Sequence, residues 1–232
     1  MSSSNETCLE VLAAAADSAK SAAFERRHFL RTGGIAAGAA LVGLVAKDAN
    51  AQAMTPPTGP KQQMALVRRH ENDHVAFLLN GLGGAARPKP TFQNLQQPNL
   101  NAFLTVALAL ENTGVGAYLG AAPAILDPGY LGAAASIALV EARHAGFFNG
   151  LRSKPMTLNA FGNELSFDAA FTPAQVGGAA GGFVASLNGG PPLDFSSTRS
   201  AANDVAILNY ALALEYLEAD FYNINVPLFY GV

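Results

Sequence analysis

The stretch ENDHVAFLLNGL at residues 71–82 occurs a second time, one residue shorter, as EARHAGFFNGL at residues 141–151. Each copy opens with a glutamate and carries a histidine three residues later, and residues three apart lie on one face of an α-helix. One such pair is weak evidence, because it arises by accident on solvated helix faces. From residue 52 onward, however, the chain has only three histidines and six glutamates. Two pairs among so few residues are a chance event of order a few in a thousand.

A second repeat accompanies the first. The segments ALALENTGVGAY at residues 107–118 and ALALEYLEADFY at residues 211–222 align without a gap and pair Glu111 with Glu215. The chain thus contains two copies of a unit that consists of a single-Glu helix and a Glu-x-x-His helix. This combination is the ligand set of a carboxylate-bridged dinuclear metal site inside a four-helix bundle.

Helix start and stop signals divide the chain into four long helices. Pro60 suits a first helical turn, Asp127 followed by Pro128 is a capped start, Asn203 or Asp204 can cap the last helix, and Pro227 should stop it. No segment alternates at period two over a useful length, so the sequence predicts an all-α fold. A long connection spans 152–202, with one short helix after Thr172. The helices are predicted near 60–81, 101–121, 128–150 and 204–224.

On these motifs the chain resembles the ferritin-like superfamily, in particular the exported ferritin-like-domain proteins akin to plant desiccation-related proteins. The resemblance covers about residues 60–151 and 203–223. It implies a ferritin-like four-helix bundle with long crossover connections. It also implies the following metal ligands: Glu71, His74, Glu111, Glu141, His144 and Glu215.

The helix order departs from the family pattern, in which the ALALEYLEADFY type of helix comes first. Here that helix comes last, which looks like a circular permutation. A last helix in this place requires a second crossover along the bundle, and residues 152–202 are long enough to provide it. Such a tether also allows the fourth helix to pack into a neighbouring copy, which would produce a homo-oligomer.

The residue types suit iron or manganese. Carboxylate oxygens with one imidazole per ion match these metals better than structural zinc. Four buried carboxylates would repel one another unless protons or cations neutralise them. Two divalent ions balance four glutamates, and a closed site of this kind can take up a small oxidant such as oxygen or peroxide. No catalytic residue beyond the ligands is predicted.

Glu218 and His70 lie near the predicted ligands in the sequence, and their roles have to be decided separately. Glu218 lies one turn beyond Glu215 and is either an extra ligand or a neighbour of the ligands, with Glu215 preferred as the ligand. His70 precedes Glu71 and is predicted to point away from the ligand face, at the surface.

A tyrosine follows each single glutamate by seven residues, whereas Gly114 and Gly116 follow only Glu111. Tyr118 and Tyr222 either hydrogen-bond ligands or carry an oxidising equivalent, but core aromatics with a satisfied hydroxyl are the preferred interpretation. Gly114 and Gly116 interrupt a helix, where each costs about 1 kcal/mol relative to alanine. They either leave room for a substrate or allow close helix packing.

The N-terminal region resembles a twin-arginine export signal. ERRHFLR at residues 25–31 is followed by about fifteen weakly apolar residues, fewer than the roughly 20 needed to span a bilayer, and then by Ala-x-Ala sites ending at 51 or 53. We therefore expect a signal and extension over 1–51, a ferritin-like domain over 52–232, a periplasmic or extracellular protein, and no membrane span after processing. Cys8 is the only cysteine and precedes the signal, so thiolate chemistry is excluded from the exported domain.

Charge and composition narrow the function without deciding it. From residue 52 onward nine Lys and Arg face twelve Asp and Glu, without basic clusters, so nucleic acid is not an expected partner. The first hypothesis is a dimetal protein acting on ferrous iron, oxygen or peroxide in stress protection, either ferroxidase-like or manganese-catalase-like. The alternative is a non-enzymatic metal-binding or desiccation-related structural protein. A metal-free bundle with solvated Glu and His is a third hypothesis, and whether the protein is an enzyme stays open.

Overall fold

The computed structural model describes residues 59–164 and 166–232. The signal predicted for 1–51 lies outside the described residues. Four long helices dominate, joined by one short helix and two short strands. In chain order the elements are α1 (Pro60–Leu82), β1 (Thr91–Phe92), α2 (Leu100–Ala121), α3 (Pro128–Leu151), α4 (Pro173–Ala180), β2 (Val184–Ser186) and α5 (Ala201–Tyr230).

Most helix starts follow the capping chemistry of the sequence. The side chain of Asn99 accepts a hydrogen bond from the backbone of Ala102, and Asp127 caps α3 in the same way. Thr172 and Gln175 form a reciprocal capping box at the predicted short helix α4.

The start of α5 differs from the prediction. The cap is Ser200, not Asn203 or Asp204. Asp204 instead accepts hydrogen bonds from the backbone N–H groups of Leu126 and Asp127, at 2.7 and 2.9 Å. The start of α5 is thereby attached to the turn between α2 and α3.

The end of α5 also differs, because the prediction that the helix stops before Pro227 is wrong. The helix continues to Tyr230 and closes on Gly231, whose left-handed conformation (φ 66°) suits glycine. Proline in a helix interior costs about 3 kcal/mol. Packing offsets that cost here, since Val226 is fully buried and the ring of Phe229 stacks on Phe103 at 5.5 Å.

The four long helices form an all-α bundle in which each runs antiparallel to both of its neighbours. Side-chain contacts establish the order around the bundle: Arg68 of α1 donates to Asn223 of α5 at 2.8 Å, Tyr118 of α2 donates to Glu215 of α5 at 2.5 Å, and His74 of α1 lies 3.1 Å from Glu141 of α3. A short turn at 122–127 joins α2 and α3 into a hairpin. The predicted ferritin-like bundle is therefore confirmed.

Two long connections cross the bundle lengthwise, as the predicted helix order requires. Residues 83–99 lead from α1 to its parallel, diagonal partner α2, and residues 152–200 lead from α3 to α5. β1 and β2 pair antiparallel, so that Thr91 lies opposite Ser186 and the two crossovers are hydrogen-bonded to each other. The sequence did not predict these strands, because two or three residues are too few to show a period.

The apolar core of the described residues has a small cluster of Ala117, Phe171, Val176 and Tyr210 and two large clusters, one toward each end of the bundle. Met64, Phe103, Phe148 and Phe221 belong to one, and Leu78, Ile125, Ile137 and Leu212 to the other. Among the described residues one stretch, Leu100–Ala124, is long and apolar enough to cross a membrane, and 61% of its most apolar window is buried inside the protein. A helix at the centre of a bundle has the same composition.

The second crossover docks on a glycine stripe of α2. Phe171 donates its backbone N–H to the carbonyl of Gly116 at 2.8 Å. A Cβ added at Gly116 would lie 2.5 Å from the Phe171 ring, and one added at Gly120 would collide with the Phe171 carbonyl oxygen. Of the two interpretations offered for Gly116, the structure supports close packing.

Candidate metal centre

Six predicted ligands from four helices meet between the two apolar clusters. The four glutamates are at most 1% exposed, His144 is 5% exposed, and the His74 side chain is 11% exposed. Their ligand atoms form two groups, in each of which all atoms lie within 4.8 Å of one another. The groups are Glu71, Glu111, Glu141 and His144, and Glu71, His74, Glu141 and Glu215.

The two groups are related by a near-twofold arrangement of the helices. Glu71 of α1 and Glu141 of α3 belong to both groups, which is the position of a bridging carboxylate. Glu111 and Glu215 each belong to one group, as do the two histidines. The repeats in the sequence therefore correspond to the two halves of one site.

Both histidines direct the same ring nitrogen at the carboxylates. Nδ1 of His74 lies 3.1 Å from Glu71 Oε2, 3.1 Å from Glu141 Oε1 and 3.2 Å from Glu215 Oε2. Nδ1 of His144 lies 2.9 Å from Glu71 Oε1 and 3.0 Å from Glu111 Oε2. His74 thus contacts the glutamate of its own helix turn, whereas Glu141, the glutamate of the His144 turn, lies within 4.8 Å of His144 in the same ligand group.

Three carboxylate oxygens in the centre accept no aligned hydrogen bond from any described residue. They are Oε1 of Glu71 and both oxygens of Glu141, the two residues common to both groups. The nearest nitrogens are Nδ1 of His144 and Nδ1 of His74, 2.9 and 3.1 Å away, but their hydrogen bonds go to other carboxylate oxygens. Buried carboxylate oxygens without donors are expensive unless a cation coordinates them. The donor set and its unpaired oxygens therefore fit two metal ions.

The pKa values of the centre reflect the same lack of groups that compensate the carboxylates. Burial first, and then the charges of the other glutamates, raise the pKa of the Glu141 carboxyl well above its usual value. Burial alone would lower the pKa of His74, but Glu215 and the other neighbouring carboxylates outweigh it and raise that pKa. In the absence of metal the cluster thus retains protons at neutral pH, and metal ions would displace them.

Two tyrosines connect the halves of the site. The hydroxyl of Tyr118 on α2 donates to Glu215 of α5, and the hydroxyl of Tyr222 on α5 donates to Glu111 of α2. Burial, followed by the neighbouring carboxylates, raises the pKa of both phenols, which keeps them protonated as donors. They are core aromatics with satisfied hydroxyls, and the group that satisfies each hydroxyl is a predicted ligand.

His70 contradicts the prediction that it points to the solvent. It is half-buried, its ring stacks on that of His144 with 5.2 Å between centroids, and its Nδ1 lies 2.9 Å from His144 Nε2. This contact holds the distal nitrogen of His144 while the other nitrogen faces the carboxylates. The available signal was the spacing of four between His70 and His74, which places both on neighbouring positions of one helix face.

A cleft lies outside the centre, between the α2–α3 hairpin and the second crossover. It encloses about 500 Å³, open solvent included, and Asn112, Ala142 and Asp168 are among the residues that line it. Asn112 and Ala142 directly follow the ligands Glu111 and Glu141 in the chain. Because successive residues of an α-helix point about 100° apart, the cleft lies on a different side of α2 and α3 from the ligands.

A comparison of the sequence with protein-family models found one match. A family model of the ferritin-like domain matches residues 9–154, which is more than half of the chain and includes α1, α2 and α3. No curated protein and no solved structure matched the chain. Three of the four ligand helices lie within the matched residues, and the fourth, α5, completes the site. This chain belongs to the ferritin-like domain family.

Proposed function

We propose that the protein binds two ions of iron or manganese in this centre and uses them for redox chemistry with oxygen, peroxide or ferrous iron as the substrate. The observation that carries the proposal is the set of unpaired oxygens on Glu71 and Glu141, which two cations would satisfy together. Glu111 with His144 would complete one ion's ligands, and Glu215 with His74 those of the other. Bound iron or manganese would supply the capacity to exchange electrons with the oxidant.

The residues around the ligands would control the chemistry by position. Tyr118 and Tyr222 each donate to one terminal carboxylate, which fixes the rotamer of that carboxylate and leaves its second oxygen for an ion. The aromatic and aliphatic residues of the two core clusters exclude bulk water from the centre. A small oxidant fits this enclosure better than a bulky organic substrate does.

Elemental analysis of the purified protein tests the metal proposal. We expect about two iron or manganese ions per chain, and fewer than about one in Glu141→Ala, while Glu164→Ala retains the wild-type content because the Glu164 side chain is exposed and accepts a hydrogen bond from Thr157. Less than about one ion per wild-type chain, from cells in which other metalloproteins are loaded, would refute the proposal.

A non-enzymatic metal-binding or stress-related role is the second candidate. The observation that favours it is the closure of the centre, whose four ligand glutamates are at most 1% exposed. Oxygen release from peroxide and the rate of ferrous oxidation separate the two candidates. Rates for the loaded wild-type protein that equal those of Glu141→Ala would favour the non-enzymatic role.

We further propose export and a permuted helix order. The support for export is the segment ERRHFLR with its apolar run and small-residue exit, and the expected location is periplasmic or extracellular, in stress protection. Replacing Arg26 and Arg27 with lysine should retain the protein in the cytoplasm, which fractionation would detect.

The support for permutation is that α5 supplies Glu215 although it lies outside the residues matched by the family model.

A further inference from the structure

Arg87 carries a buried positive charge that does not belong to the metal centre. It lies on the first crossover and is the only lysine or arginine among the buried residues of the described chain, with 3% of its surface exposed. Its Nε, Nη1 and Nη2 atoms are buried, and none of them has a hydrogen-bond partner among the described residues. The lysine and arginine salt bridges of the described residues involve Arg69 and Lys89 instead.

The fold fixes the backbone from which this side chain starts. Asn209 of α5 accepts a hydrogen bond from the backbone N–H of Arg87 at 2.6 Å and donates one to the carbonyl of Ala85 at 2.9 Å. Asn209 is itself buried. The first crossover is therefore held against α5 at this point, and the burial of the guanidinium follows from that attachment.

A turn of the second crossover, residues 187–190, covers the guanidinium. A Cβ added at Gly190 would lie 2.8 Å from Nη2 of Arg87, so glycine allows the turn to pack directly on this nitrogen. The amide of Asn188 attaches the same turn to the first crossover, because it donates to the carbonyl of Lys89 at 2.8 Å and to Oγ1 of Thr91 at 3.0 Å. The guanidinium is thus enclosed where the two crossovers meet.

A guanidinium in this position needs a compensating group from outside the described residues. Glu141 can relieve its burial by taking up a proton, whereas an arginine keeps its charge at any physiological pH. Water would satisfy the N–H donors but would leave the buried charge uncompensated, which an anion corrects. Neighbouring N–H groups of a guanidinium are parallel, and they match two oxygens of one carboxylate or phosphate.

We propose that Arg87 binds a small oxyanion, a carboxylate or a phosphate, between the two crossovers. The anion accepts two parallel N–H bonds from the guanidinium and compensates its charge. Because the turn at 187–190 covers Nη2, the anion enters when this turn separates from the first crossover, which favours a free ion or a small carboxylic acid. This inference goes beyond the proposed metal chemistry and does not depend on it.

Thermal unfolding and calorimetry of the full-length protein, chelated and dialysed into Tris chloride, test the inference with inorganic phosphate and acetate as the probes. Each anion is added to at most about 10 mM at constant ionic strength, because phosphate at high concentration stabilises folded proteins without occupying a site. An ion at about ten times its dissociation constant shifts the unfolding equilibrium about 11-fold, and we expect it to raise the Tm by about 3–6 °C. The anion with the higher affinity decides between the phosphate and the carboxylate source.

Three variants assign the binding to the guanidinium. Arg87→Met has a similar length without the charge or the donors, and should abolish both the binding and the Tm shift. Arg199→Met is the matched control and should retain both, because Arg199 is exposed and already donates to the carbonyl of Ile125 at 2.8 Å. Arg87→Lys keeps the charge but loses the parallel donors, and should bind the anion at least about 10-fold more weakly.

The inference is overturned if wild-type protein binds neither anion, or if Arg87→Met binds them as wild type does. Should Arg87→Met fail to fold, Arg87→Lys still decides the matter, since an affinity equal to that of wild type would show that the guanidinium is not the binding group. The use of chelated protein keeps these results separate from the dimetal proposal.

Discussion

Replacing Glu141 with glutamine should stabilise the metal-free protein and abolish the stabilisation that metal provides. Glu141 is fully buried, neither of its oxygens accepts an aligned hydrogen bond from the described residues, and its pKa is raised first by burial and then by the other glutamates. Glutamine has the same shape without the charge. The variant thus removes the cost of protonating the buried carboxyl and keeps the packing.

The magnitude follows from the cost of protonation. A carboxyl with an ordinary pKa of 4.5 that must stay protonated at pH 7 costs about 3 kcal/mol, since each pKa unit corresponds to about 1.4 kcal/mol. We expect Glu141→Gln to raise the free energy of unfolding of the metal-free protein at pH 7 by about 1–3 kcal/mol. The lower end of this range allows for the glutamine amide, because a buried amide that lacks hydrogen-bond partners is itself destabilising.

The pH dependence gives an internal control. A carboxyl whose pKa is higher in the folded state contributes its stability fully below its unfolded pKa, and that contribution is lost as the pH rises. The advantage of Glu141→Gln should therefore grow from pH 5 upward and vanish near pH 4. With metal present the order should reverse, because ions at 100 times their dissociation constant stabilise the wild type by about 2.7 kcal/mol.

Urea unfolding of chelated and metal-loaded protein at several pH values measures these quantities. Glu164→Gln is the matched control, because its carboxylate is exposed, and its effect should stay within about 0.5 kcal/mol. A metal-free Glu141→Gln variant that is less stable than wild type at pH 7 would refute the argument that the centre is a cluster of uncompensated charge.

Other substitutions probe the surroundings of the centre. Gly120→Ala should destabilise the protein by about 1–3 kcal/mol, because its Cβ would collide with the backbone of the second crossover. Gly132→Ala, in open space within α3, should stabilise it by about 0.5–1 kcal/mol. Equal effects of the two substitutions in urea unfolding would contradict the docking of the second crossover on α2. Tyr222→Phe should cost about 1–3 kcal/mol through the lost bond to a buried carboxylate, and a variant as stable as wild type in the same assay would show that this bond is weak. His70→Val should weaken the binding of one ion about 10-fold in a Co²⁺ titration by releasing the distal nitrogen of His144, and unchanged binding would mean that the stacked ring is only packing.

The two Glu-x-x-His pairs could be predicted because helix geometry alone connects the members of each pair, whereas Glu111 and Glu215 came from the second repeat and the family resemblance. The Glu-x-x-His spacing places both side chains of a pair on one face, and the scarcity of histidine made the two pairs stand out. The helix starts at Pro60 and Asp127 could likewise be predicted, because each depends on residues within one helical turn.

Features that depend on distant partners could not be predicted. Asp204 looks like a helix cap in isolation, but its carboxylate is taken up by backbone groups 77 and 78 residues away. Pro227 reads as a helix stop, and only the burial of Val226 and the stacking of Phe229 explain why the helix continues. The docking of Phe171 on Gly116 is likewise a tertiary contact that no sequence window contains.

The antiparallel pairing of α1 with α5 has a consequence for biosynthesis. The hydrogen bond between Arg68 and Asn223 joins residues 155 positions apart, and α1 finds its partner only when that distant stretch has left the ribosome. The α2–α3 hairpin can form earlier, because its contacts are local. At about 5–20 residues per second, the nascent chain therefore carries α1 without its partner for roughly ten seconds or more, and the two-ion enclosure can close only after α5 has been synthesised.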